Sequence, residues 1–119
     1  MIGVALVALV AVIHLAILVM QMFLWETPFV RAIFRISPDF AANTRVMAAN
    51  QGLYNGFLAA GLILALIRGI PGEGAALAHF ILACVVVAGL YGAATASRRI
   101  LYVQAAPALL ALIAVLAGV

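Results

Sequence analysis

"VMAANQGLYNGFLAAGLILALI", residues 46–67, runs for 22 residues without an Asp, Glu, Lys or Arg, yet it carries Asn50, Gln51, Tyr54 and Asn55. About 20 apolar residues cross a bilayer as a helix. Backbone groups in hydrocarbon must find partners within the segment, so a span of this kind is a helix and not a lone strand. Three further charge-free stretches occupy residues 1–25, 74–97 and 100–119, with lengths of 25, 24 and 20. The alternating pattern of a membrane barrel is absent. The chain therefore reads as all-α: an integral membrane four-helix bundle, one domain over residues 1–119, with spans at about 1–25, 42–67, 74–97 and 100–119.

Composition agrees. The 119 residues are 70% hydrophobic and 8% charged, where soluble domains carry about 25% charged residues. A small soluble domain could not hide that much apolar surface. The first segment lacks the basic residues that precede a secretory signal and its apolar run is too long for one, so it is expected to stay as a helix. The single cysteine, Cys84, excludes an internal disulfide and reads as a packing residue. All six cations are arginines scattered through short loops, which excludes nucleic acid as a partner despite a pI near 9.8.

Those arginines indicate a topology. With four spans, Arg31, Arg35, Arg45, Arg98 and Arg99 share one side and Arg68 stands alone on the other. The arginine-rich side is expected in the cytoplasm, both termini outward, in a bacterial inner membrane. Within the first loop, Thr27-Pro28 and Ser37-Pro38-Asp39 have the cap, proline and first-turn signals of helix starts. The first of these is expected to begin a short interfacial helix, its arginines among the lipid phosphates.

On a helix Asn50, Gln51, Tyr54 and Asn55 lie on one face. Because an unpaired amide in lipid is costly, that stripe is expected to face other helices or a cavity. Gly52 and Gly56, extended by Ala60, and Ala88, Gly92 and Ala96 mark edges for close approach, expected between the second and third spans. Counting inward at about 1.5 Å per residue puts Gln21, Gln51, Tyr91 and Gln104 roughly 6–9 Å from the cytoplasmic ends, with Asn55 and His14 deeper. His14, Gln21 and Trp25 share a face of the first helix. Two meanings stay open. The groups bond one another and glue the bundle, or they line a polar pocket for a small amphiphilic molecule, with His14 at its floor. Pro107 cannot donate to Val103, so a kink is expected beside Gln104.

His79 and His14 lie at different depths, and no Cys, Asp or Glu stands at ligand spacing to either, so neither a metal nor another cofactor is expected. His14 is the weak catalytic candidate, as a proton carrier. No intramembrane carboxylate, nucleophile elbow or phosphate loop accompanies it.

The stretches "HLAILVMQMFLWETP", "AANQGLYNGFLAAGL", "LYGAATASRRIL" and "VQAAPALLAL" resemble the small bacterial membrane proteins grouped as domain of unknown function thirteen-hundred-and-four. The resemblance covers nearly the whole chain and implies four membrane helices but no activity. It departs at Gln21, often glutamate in the family, and at Glu26, where relatives carry threonine. The expected function is to bind an amphiphilic or lipid-like molecule in the cytoplasmic half through His14, Gln21, Trp25, Asn50, Gln51, Tyr54, Asn55, Tyr91 and Gln104. The alternatives are a structural subunit, in a homo-oligomer or larger membrane complex, and an enzyme or transporter using His14.

Overall fold

A computed structural model describes all residues, Met1–Val119, and contains six α-helices. They are α1 (Ile2–Met22), α2 (Pro28–Phe34), α3 (Pro38–Asn43), α4 (Arg45–Arg68), α5 (Ala75–Thr95) and α6 (Ala106–Ala117). Three of these, α1, α4 and α5, are long and apolar enough to cross a membrane. The last apolar helical stretch, Leu101–Ala117, is shorter. It opens with a π-helical turn, Leu101–Ala105, closed by the N–H of Ala106 on the carbonyl of Leu101. The register thus shifts just ahead of Pro107, whose missing donor the sequence marks as the site of a kink.

The chain forms two compact units. The core unit comprises Met1–Ile13 and Leu58–Val119. Its buried cluster draws Val7, Val10 and Ala11 from α1, Leu62 and Ala65 from α4, Ile81, Leu82 and Val85 from α5, and Ala108 and Ala111 from α6. Four helical segments therefore share one apolar core. The Met1 amino group donates to the Val119 carbonyl at 2.7 Å, so the two chain ends lie together. The α4–α5 connection is a turn over Gly69–Glu73, followed by Gly74, with a cis Ile70–Pro71 bond.

Close approach in this unit rests on Gly89. A Cβ there would lie 2.8 Å from both the backbone nitrogen and the Cβ of Ala105, so only glycine admits the π turn against α5. Gly92 and Gly61 face side chains instead, those of Ile100 and Ile81. Ala88 and Ala96 are exposed. The small residues of α5 thus serve the last helix, where the sequence expects them to serve the second span. Periodicity identifies a smooth face but carries no information on which helix fills it.

The elbow unit is His14–Phe57. In it α1 ends at Met22, three residues short of the expected boundary, and α2 and α3 turn the chain before α4 begins. Both short helices start where the Thr-Pro and Ser-Pro pairs place them. Thr27 Oγ1 accepts from the N–H of Val30 at 3.3 Å, and Ser37 Oγ accepts from that of Phe40 at 3.1 Å, each satisfying a donor that no helical carbonyl reaches. Thr44 ends α3 and separates it from α4.

Candidate functional site

The elbow unit concentrates the polar chemistry. Gly52 brings the backbone of α4 onto α1: a Cβ at this position would sit 2.7 Å from Met22 Cγ and 3.0 Å from Gln21 Cβ. Gly56 faces Leu18 one turn on. This glycine pair, expected to meet the third span, is filled by α1; Ala60 is exposed and takes no part. The approach lets Asn55 Nδ2 reach Gln21 Oε1 at 2.9 Å while the same nitrogen also contacts the Gln51 carbonyl at 3.0 Å. The Asn55–Gln21 bond joins two helices through amides, where lipid offers neither group a substitute partner.

The rest of the stripe behaves differently. Asn50, Gln51 and Tyr54 are exposed, with Tyr54 at 61%. Successive residues turn by about 100°, so the face that seats Gly52 and Gly56 on α1 points Asn50 and Tyr54 away from it. Of the stripe expected to face other helices or a cavity, only Asn55 meets a neighbouring helix. Asn50 satisfies its amide locally, donating to the Val46 carbonyl one turn back at 2.9 Å. Thr95 does the same to Tyr91, at 2.7 Å. The Gln51 amide and the Tyr54 hydroxyl have no hydrogen-bond partner within the protein. Tyr54 rests its ring edge-on against Phe57, centroids 5.9 Å apart.

Trp25 does not extend the α1 face that carries His14 and Gln21. The helix has already ended, and Trp25 lies in the turn beyond it. Its indole N–H donates to Thr44 Oγ1 at 3.1 Å, and its ring meets Phe34 edge-on at 4.9 Å. It therefore ties α2 and the start of α4 to the end of α1. Thr44 carries little sequence signal of this role beyond being a polar residue between two helix starts. Glu26, at the same turn, pairs with Arg45 at 3.8 Å, an exposed contact that adds little stability.

His14 is the one buried polar side chain, 1% exposed. In the core unit, Tyr91 is 72% exposed and Gln104 is half-buried; neither side chain has a hydrogen-bond partner in the protein. Tyr91 lines an apolar trough of about 530 Å3 along α5 with Phe80, Ala83, Cys84, Val87 and Ala88. The surface of that trough is almost wholly apolar.

Long apolar helices, short polar turns and one buried imidazole define a multi-pass α-helical membrane protein. Within that class the chain belongs to the family DUF1304, proteins of unknown function, which it matches over residues 8–116. No curated protein and no solved structure matches it.

Proposed function

We propose that the protein binds a membrane-dissolved amphiphile on the elbow-end half of α4. Its headgroup hydrogen-bonds to the Gln51 amide and the Tyr54 hydroxyl. Asn50 stands beside them, and the Gln21–Asn55 pair anchors the helix that presents them. One observation carries this reading: two polar side chains stand exposed within a span, on one face, with no partner in the protein. In hydrocarbon such groups cost free energy until something bonds them. The site opens to the bilayer from the side, where the sequence favours a pocket open towards the cytoplasmic leaflet, because α1 and α4 close on each other at Gly52. Tyr91 and Gln104, likewise unpaired, are polar groups of the core unit that a molecule of the same kind can bond there. Trp25 contributes by fixing the elbow, and His14, being buried, supports the α1 face without touching ligand.

The membrane arrangement belongs to the same proposal. The sequence's four spans, with Leu101–Ala117 as the fourth, fit a chain whose two ends meet. The elbow with its arginines lies at the cytoplasmic surface of a bacterial inner membrane.

The test is the Gln51→Leu, Tyr54→Phe double variant, purified in mild detergent, with its co-extracted lipids and metabolites measured by mass spectrometry. An amphiphile enriched in the wild type is expected to fall by about tenfold, as two hydrogen bonds of about 0.7 kcal/mol each imply. Unchanged enrichment rejects the site.

A structural reading has its own support in the Asn55–Gln21 bond, which joins two helices with no ligand involved. It predicts a stable partner, in a homo-oligomer or larger complex, on gentle extraction, and ligand content indifferent to Gln51. A proton-carrier role would require a path to His14, which its 1% exposure does not offer.

A further inference from the structure

The elbow carries a second feature, separate from the α4 face and dependent only on its lying at a membrane surface. Helix α2 ends with Arg35 in the left-handed conformation, φ 57° and ψ 49°. Its N–H and that of Ile36 both return to the Arg31 carbonyl. Glycine ordinarily fills such a terminus, because it alone reaches that region without steric cost. Here the position holds an exposed arginine with no partner in the protein. One turn earlier, Arg31 Nε donates to the Glu26 carbonyl at 3.2 Å, which steadies the guanidinium and leaves its two terminal nitrogens for another acceptor.

The nearby carboxylates are otherwise engaged. Glu26 faces Arg45, and Asp39 sits in the first turn of α3, where the helix end favours a negative charge. Phe29, in α2 with Arg31, and Phe40, in α3, are exposed. This combination of apolar rings and long cationic side chains suits a surface whose rings enter acyl chains while guanidinium groups stay at phosphate depth. The support is rigid: Val30 and Ala41 are fully buried, and Trp25 clamps the turn through Thr44 and Phe34.

We infer that Arg31 and Arg35 form a headgroup-selective contact that binds the phosphate of an anionic phospholipid in preference to a zwitterionic one. A guanidinium offers paired N–H donors that match phosphate oxygens. A zwitterionic lipid also has a phosphate, but its ammonium cancels the charge attraction that a second arginine adds.

Trp25 is the only tryptophan and stands inside the elbow, so its fluorescence reports contact there. The experiment reconstitutes the protein in phosphatidylcholine vesicles and titrates brominated phosphatidylglycerol against brominated phosphatidylcholine as quenchers. The anionic quencher is expected to bind about fivefold more tightly per arginine at low salt. That preference should fall away near 1 M salt, where the screening length is about 3 Å. The variant R31Q/R35Q is expected to bring the two quenchers level, and R35K to retain part of the difference. R35G removes the guanidinium while suiting the left-handed backbone, so it tests the side chain without threatening the fold; it is expected to lose Arg35's share. R68Q, in the core unit, should change nothing. Equal quenching by both lipids in the wild type, or an undiminished preference in R31Q/R35Q or R35G, overturns the inference.

Discussion

Leu62, Leu82 and Val85 hold the core unit together by packing, whereas Asn55 with Gln21 and Trp25 with Thr44 bind the elbow unit through side-chain hydrogen bonds. Both units face the same difficulty. Lipid tails are as apolar as leucine, so burial against another helix gains little over burial in the bilayer. The core unit answers with shape: alanines and Gly89 bring backbones close enough for dispersion to accumulate. The elbow unit uses one glycine approach and then directional bonds, and it leaves Gln51 and Tyr54 unanswered on its surface. A region built on shape tolerates no vacancy, while one built on separable bonds can spare a few donors for a ligand.

Substitutions can break that contrast. The largest loss is expected for Leu82→Ala, about 2–5 kcal/mol, because the fully buried side chain leaves a cavity. Reversible unfolding in mixed micelles measures it. Gly89→Ala comes next, at about 1–3 kcal/mol, since its Cβ must displace the Ala105 backbone. A neutral result for either would remove shape as the basis of the core unit. Asn55→Leu is expected to cost about 0.6–1.7 kcal/mol, the range for interhelical hydrogen bonds in membranes. A loss as large as that of Leu82→Ala would erase the distinction between the units. Gln51→Leu should stay within about 0.5 kcal/mol of wild type, as exposed positions do, and lower only the amount of bound amphiphile. Equal destabilisation by Gln51→Leu and Asn55→Leu would mean that Gln51 has a structural partner and is not a ligand contact.

Much of the architecture is legible in the sequence. Charge-free runs located α1, α4, α5 and the last helix, since each charge inside a span is costly. The Thr27-Pro28 and Ser37-Pro38 pairs located the starts of α2 and α3, because capping depends on a few neighbouring residues. The site was legible only in outline. The periodicity of α4 collected Asn50, Gln51, Tyr54 and Asn55 on one side, but that stripe spans an angle wide enough to be divided. Asn55 fell to the α1 side and Tyr54 to the opposite one. Trp25 left the helix that was expected to carry it because the turn closes through Thr44, 19 residues later.

Sequence by itself determined which stretches of this chain form long, apolar, charge-free helices and where its short helices begin. Those are local matters, settled by solvation of single side chains and by caps a few residues long. Tertiary structure alone decided that Gly52 meets α1, that Gly89 meets the π turn before α6, and that Gln51 is left outward while Asn55 is not. In a soluble helix the hydrophobic stripe announces the buried side. A membrane helix is apolar all round, so its partner is chosen by fit between surfaces.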